Sequence, residues 1–294
     1  MNFNNMELYE FYPKQTQRLS VAIADNFTML SYGKIQKVIR QKDVKIDGKR
    51  VSVDVIVSPE SKIAIYLKKD ENLSHFQVIY EDFNIIVVNK SKKIETISNG
   101  GLDLKSEVEK YLGSECFAVH RLDRNTSGLV VFAKNIEAKE ELDYAFKYRI
   151  VHKFYLALVY GRFDLPQQTL TAYLKKDEKK SEVYISDKPK VGYTKIETSY
   201  KVLQVINQST LIEVELLTGK THQIRAHLAH IGHFVIGDEK YGDSKINKKY
   251  GCKYQCLTAY RIKFEFEKDS KLFYLNDITI ELDKSKIEFL SNKF

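Results

Sequence analysis

From residue 76 to the C-terminus, apolar side chains come in runs of strand length, and helical stretches do not alternate with them regularly. Ile85–Val88, Phe117–His120, Leu129–Ala133, Phe154–Val159 and Leu211–Leu217 read as strands, with Gln77 to Asn89 forming two strands around the polar turn Glu81–Asn84. Helical periodicity is confined to about Lys105–Leu112, Ala138–Tyr148 and His222–Ile231. A doubly wound sheet needs a helix after nearly every strand. The pattern excludes that architecture and predicts an α+β fold on a mixed, largely antiparallel sheet. The chain carries no glycine-rich phosphate loop, and its longest apolar runs fall far short of the ~18 residues of a membrane-spanning helix, so no membrane partner is expected.

Residues 1–68 read as a separate small α+β unit, 69–75 as a polar linker and 76–294 as the larger domain. A helix capped by Ser31 and running to about Lys42 sets Ile35, Val38 and Ile39 on one side and Lys34, Lys37 and Arg40 on the other. Alternation around Asp47-Gly48 in Val44–Val51 is the strongest short-range hairpin signal. Of the nine charged side chains from Lys34 to Arg50, seven are positive, and the whole chain carries a formal charge of +8. Such a concentration suits a phosphate backbone, which it would position without reading sequence; a solvated basic face has the same composition. The stretch resembles the RNA-binding domain of ribosomal protein S4. Ser31, Ile35, Gln36 and Ile39 fall on its second-helix pattern and Val44-Lys45-Ile46-Asp47-Gly48-Lys49 on its hairpin, while Arg18-Leu19-Ser20 departs from the family's Arg-Leu-Asp.

Cys116, Cys252 and Cys256 are an odd, widely spread set, so no disulfide framework is expected and a reducing compartment fits. The first residues show no basic segment leading into an apolar stretch, which points to a cytoplasmic protein. A monomer is the default expectation.

Two segments concentrate polar groups that could carry chemistry. In His120–Gly128, Arg121 and Arg124 flank Asp123 although the chain has only nine arginines. A carboxylate beside a guanidinium stays ionised, which suits a nucleophile or electrostatic partner better than a general acid; a salt bridge decorating a strand connection is the plainer reading. In Thr218–His233 lie four of the seven histidines, with Thr221 placed to cap a helix and Gly232 to end it. His222 and Arg225 share a face of that helix, as do His227 and His230. No His-Glu-x-x-His spacing occurs and Cys252-x3-Cys256 is a weak complement, so no metal site is expected.

The segment His120-Arg121-Leu122-Asp123-Arg124-Asn125-Thr126-Ser127-Gly128-Leu129 resembles the catalytic signature of the RluA-like RNA pseudouridine synthases. Glu81–Lys90 precedes it, and Lys153–Gly161, Gly219–Leu228, Gly237–Gly242 and Leu257–Phe264 follow in the family's order. The resemblance implies the pseudouridine synthase fold, often preceded by an S4-like domain, and an isomerisation of RNA uridine without a cofactor. The N1–C1′ bond breaks, the base rotates, and C5 replaces N1. On the matching positions Asp123 is the nucleophile, by attack on the sugar, by addition to C6 or through a glycal. Tyr155 stacks on the base and is a candidate for removing the C5 proton. Arg225 pairs with Asp123, and Arg121 fills the gap left by the flipped nucleotide, whose extrusion the enzyme must offset. Lys220, often Arg in the family, and His222 join Lys34, Lys37 and Arg40 as RNA contacts.

Asn125 stands where the family usually has Asp, and Lys90-Ser91-Lys92-Lys93 where it shows Lys-Pro-x-Gly, which predicts an altered loop beside the site. Large-subunit ribosomal RNA is the expected substrate, with transfer RNA as alternative. A non-catalytic RNA-binding or ribosome assembly protein and a metal-dependent hydrolase are the competing classes. The lysine-rich inserts Lys175–Lys190 and Lys245–Lys253 read either as RNA contacts or, equally, as solvated loops.

Overall fold

The computed structural model describes residues 6–27, 30, 32–68, 75–98 and 100–291. Contacts divide the chain into two compact units, Met1–His75 and Phe76–Phe294. Ser31, the expected helix cap, and residues 69–74 of the expected linker lie outside the described residues.

The first unit runs β1 (Met6–Phe11), β2 (Gln17–Arg18), α1 (Leu19–Asn26), α2 (Tyr32–Arg40), β3 (Val44–Ile46), β4 (Lys49–Val51), β5 (Ile56–Val57) and β6 (Ile63–Lys68). Its antiparallel sheet has the order β1-β6-β3-β4, and β2 pairs with β5. The hairpin forms where the sequence places it. Val44 pairs with Val51 across Asp47 (φ 50) and Gly48 (φ 81), both in the left-handed region that a two-residue turn of this twist requires. Ile35, Val38 and Ile39 bury one side of α2 against Leu19, Ile23, Ile63 and Ile65, while Lys37 and Arg40 stay exposed.

The second unit comprises β7 (Phe76–Glu81), β8 (Ile85–Lys90), α3 (Leu104–Leu112), β9 (Phe117–Ala118), β10 (Ser127–Ala133), α4 (Ile136–Lys147), β11 (Val151–Tyr160), β12 (Gln167–Asp177), β13 (Glu182–Ser186), β14 (Thr194–Ile206), β15 (Ser209–Leu216), α5 (Gln223–His230), α6 (Ser244–Lys249), β16 (Leu257–Phe264) and β17 (Thr279–Glu281). One 11-stranded sheet takes the order β13-β12-β14-β15-β11-β16-β10-β8-β7, with β17 on β16 and β9 on β10. Among the described residues only the β10–β16 pair of this sheet is parallel; its other ladders are antiparallel. The fold is therefore α+β on a mixed, largely antiparallel sheet.

The unbroken apolar runs reflect burial on both faces of the sheet. Ile86, Val88, Val130 and Phe132 pack with Val108 of α3 and Ile224 and Leu228 of α5. Their neighbours Ile85, Val87, Leu129 and Val131 point the other way, against Ala138, Leu142 and Ala145 of α4. The parallel pair sets Gly128 opposite Ala259 at φ +117, where a Cβ would lie 2.1 Å from the Ala259 carbonyl oxygen, so only glycine fits.

Three expectations need correcting. The strand from Phe117 stops at Ala118, leaving His120 in the bend that leads to Asp123. The stretch Lys175–Lys190 is mostly a hairpin of β12 and β13 rather than a loop. Lys245–Lys253 contains helix α6, whose N-cap Asp243 accepts the Lys245 and Ile246 N–H groups at 2.8 and 3.0 Å. Lysine stems lie along an exposed strand or helix as readily as they decorate a loop, so lysine content alone misreads both.

Candidate active site

The polar residues nominated in the second unit converge on one cleft of about 580 Å³, lined by Arg121, Asp123, Tyr155, Lys220, His222 and Arg225. Asp123 stands in the turn between β9 and β10, closed by Thr126 N–H donating to the Asp123 carbonyl at 3.0 Å. Tyr155 comes from the centre of β11 and is buried. It sits at a β-bulge, where the pairing with β16 shifts between Phe154 and Tyr155. The extra residue is Tyr260 of β16, so β11 keeps its alternation and Tyr155 stays on one face with Lys153. Arg225 projects from the first turn of α5, and Arg121 and Lys220 stand exposed at the cleft.

The arginine that meets Asp123 is not one of its sequence neighbours. Arg124 Nε donates to the Lys93 carbonyl at 3.3 Å, and among the described residues Arg121 makes no ion pair with Asp123. Arg225 Nη1 donates to Asp123 Oδ2 at 2.9 Å instead. The same guanidinium grips Asp238 with Nε to Oδ2 at 2.6 Å and Nη2 to Oδ1 at 2.9 Å, and lies 5.3 Å from the Tyr241 ring centre. Asp238 is fully buried and also accepts the Lys240 and Tyr241 N–H groups at 2.9 and 3.1 Å. Burial pushes its carboxyl up, but Arg225 and those N–H groups outweigh it and hold the pKa below the usual carboxylate value. Burial opposes the Arg225 charge in turn, and Asp238 and Asp123 overcome that to raise it.

His222, not Thr221, is the N-cap of α5, with a left-handed φ of 53 and no side-chain cap bond. Its Nδ1 lies 2.9 Å from the Tyr241 hydroxyl and its Nε2 3.9 Å from Asp123 Oδ2. The Tyr241 oxygen also accepts the Val183 N–H at 2.9 Å, so this hydroxyl joins His222 to β13. Burial lowers the His222 pKa more than Asp123 raises it, which keeps the ring neutral. Gly232 ends the helix in the left-handed region (φ +86), as its place in the sequence predicts. The histidines that follow are used separately: His227 Nδ1 lies 3.1 Å from Thr198 Oγ1, and His230 Nε2 2.8 Å from Asp187. Among the described residues no three metal-binding side chains come together.

The altered loop after β8 closes on the same site. Lys93 takes a left-handed φ of 74 at the position where the resembled pattern has glycine. Lys90 Nζ fills the loop, donating to the Ser91, Ile94 and Arg124 carbonyls at 2.9, 2.9 and 3.2 Å. Thr96 Oγ1 accepts the Leu122 N–H at 3.0 Å and donates to the Leu122 carbonyl at 3.2 Å, which ties the loop to the residue before Asp123.

A family model described as RNA pseudouridylate synthase matches residues 84–230. An uncharacterized RNA pseudouridine synthase of Mycoplasma genitalium is 36% identical over 241 residues, 76% of this chain and 73% of that protein. The chain belongs to the RluA-like family of RNA pseudouridine synthases. Among other family members, ribosomal large subunit pseudouridine synthase C of Vibrio parahaemolyticus is 28% identical over 284 residues, 88% of each chain. The protein of that name in Rickettsia bellii is 31% identical over 255 residues, 78% of this chain and 84% of that one. The fold is shared with a solved structure of human RNA pseudouridylate synthase domain containing 1, at TM-score 0.59 and 22% identity over 71% of this chain and 84% of that chain.

As a pseudouridine synthase the chain is an isomerase acting on RNA, and its cleft suits a polyanion: Arg121, Lys147, Arg149, Lys153, Lys220 and Arg225 line it against the carboxylates of Asp123 and Glu215. Sequence reading gave no role to Asp238, Tyr241 or Lys153. Asp238 and Tyr241 stand in a segment recognised only as a family motif, and their purpose appears once α5 lies beside them. Lys153 was legible in principle, because it precedes Tyr155 by two on a strand and so shares its face. Lys34, Lys37 and Arg40 lie on α2 of the other unit; Arg40 Nε donates to the Gln36 carbonyl at 3.2 Å.

Proposed function

We propose that this enzyme isomerises uridine in large-subunit ribosomal RNA, with Asp123 as its nucleophile, acting as a cytoplasmic monomer without a cofactor. The relatives named for that RNA support the substrate. The observation that carries Asp123 is its ion pair with an arginine whose Nε and Nη2 are held by Asp238. Oδ2 is thereby fixed, while Oδ1 makes no hydrogen bond among the described residues and can meet the nucleotide. A carboxylate held by a pre-oriented guanidinium needs little reorganisation when it attacks.

Tyr155 forms the floor on which the extruded base stacks. Burial and the Asp123 charge both raise its pKa, so its hydroxyl is protonated in the resting enzyme. Once Asp123 has bonded to the nucleotide that charge is gone, and ionisation of Tyr155 becomes less costly at the step where the C5 proton leaves. Arg121 at the mouth fills the vacated stack, and Lys220, His222 and, on the other unit, Lys34, Lys37 and Arg40 hold the backbone. That first unit acts as an S4-like RNA-binding domain.

The test is tritium release from ribosomal and transfer RNA transcribed with C5-labelled uridine. Release from large-subunit ribosomal RNA by wild type, and none by Asp123→Ala with RNA affinity retained, is the expected result. Turnover by Asp123→Ala overturns the nucleophile, and release confined to transfer RNA overturns the substrate.

A further inference from the structure

Two lysines of the catalytic unit have opposite surroundings, Lys90 fully buried and Lys153 half-buried at the cleft. Lys90 donates to three carbonyls, as described. Lys153 Nζ makes no hydrogen bond or ion pair among the described residues; it lies 5.2 Å from the Phe146 ring centre and against Gly219, where a Cβ would sit 3.5 Å from it. Burial lowers its ammonium to about 8. An ammonium partly withdrawn from water without a protein acceptor is costly, and a phenyl face recovers only part of that cost. Fold stability alone does not account for a lysine here.

Its position does. Lys153 lines the cleft and leaves β11 on the same face as Tyr155, ~7 Å along the strand. Gly219 presents no side chain over the ammonium, which keeps the approach from the cleft open. A second donor stands in the same wall. His120 Nε2 accepts the Val131 N–H at 2.9 Å, so Nδ1 carries the hydrogen, and that Nδ1 is buried without a partner while its ring stacks on Phe146 at 4.6 Å.

We propose that Lys153 binds a backbone phosphate of the RNA, the phosphodiester next to the uridine seated on Tyr155. This rests on the reading of Tyr155 and Asp123 as the reaction centre. A phosphate supplies the missing acceptor and the missing negative charge together, and an RNA strand entering the cleft brings one within a nucleotide's reach of the base. The uracil carbonyls are neutral and offer a weaker counterpart to a full charge.

The experiment compares wild type, Lys153→Met, Lys153→Arg and Asp123→Ala on unmodified large-subunit ribosomal RNA carrying C5-tritiated uridine. Lys153→Met is expected to weaken RNA binding about tenfold at low salt, as expected for one hydrogen bond between charged groups. It also lowers the slope of log affinity against log salt by roughly 0.7 to 0.9, the share of one phosphate. Lys153→Arg restores that slope. In Lys153→Met, single-turnover release at saturating RNA falls less than RNA affinity does, and the variant melts near wild type, since the Met side chain keeps a contact with the Phe146 ring. An unchanged salt slope in Lys153→Met overturns the proposal. So does a lost single-turnover rate at unchanged affinity, which would place the ammonium in the chemistry. Equal loss of binding and of melting temperature in the Met and Arg variants overturns it in favour of packing. Asp123→Ala reports separately, because turnover in that variant refutes the reaction centre whatever Lys153 does.

Discussion

Asp238 clasps Arg225 from behind with two hydrogen bonds of 2.6 and 2.9 Å, leaving Nη1 to reach Asp123. The guanidinium is thus a planar connector between a fully buried carboxylate and one that lines the cleft. Lysine could not replace it, having a single nitrogen with no fork to span both acids.

Removing the rear carboxylate strands a buried cation. Asp238→Ala should cost about 3–5 kcal/mol in urea unfolding, the range for breaking a buried pair. Tritium release should fall steeply as Asp123 loses its aim. Full turnover at reduced stability would show that Asp238 serves the fold alone.

Lys90 should behave unlike Lys153. Lys90→Met leaves the Ser91, Ile94 and Arg124 carbonyls short of a donor, a loss of about 3 kcal/mol by the cost of unsatisfied buried groups. Urea unfolding of the two Met variants side by side checks this, with equal stabilities contradicting it.

Gly128→Ala forces a methyl into the space of the Ala259 carbonyl oxygen, 2.1 Å from the Cβ position, at a left-handed φ. The parallel pair must separate or shift, at about 3 kcal/mol or more. Thermal melting should show it, along with lost turnover, because Asp123 lies five residues upstream in the same connection.

Acid should weaken the fold through two buried histidines. Burial lowers His120 to about 3 and His227 to about 4. Both rings stay neutral in the fold while the unfolded chain takes up protons near pH 6.5, so unfolding binds protons between about pH 4 and 6.5. Stability is therefore lost as pH falls through that window, by up to about 1.4 kcal/mol per pH unit for each ring. Urea unfolding at pH 7 and pH 5 measures it, and His227→Gln should flatten part of the slope.

What the chain revealed in advance was whatever depends on neighbours in sequence. The Asp47-Gly48 hairpin, the two-faced strands at Ile85–Val88 and Leu129–Ala133, and the left-handed stop at Gly232 follow from local backbone chemistry. Asp123 stood out because scarce arginines surround it, but neither neighbour is its partner; the resemblance, not the spacing, named Arg225, 102 positions away, and that pair forms. Thr221 has the usual capping side chain, but the Tyr241 hydroxyl, from another loop, holds His222 in the cap position. Asp238 was invisible as a functional residue because its meaning is a distance to α5, which composition and spacing do not encode.

The parallel ladder has a consequence for biosynthesis. Ser127 Oγ and Thr258 Oγ1 lie 2.9 Å apart across 131 positions of chain, and Gln255 Nε2 donates to Thr126 at 2.8 Å across 129. The segment carrying Asp123 leaves the ribosome long before the strand that pins it. Bringing such distant segments together is an entropically slow step. The cleft is thus among the last parts of the enzyme to mature, and a nascent chain halted before Leu257 holds Asp123 and Arg225 without the strand that pairs beside the Asp123 turn.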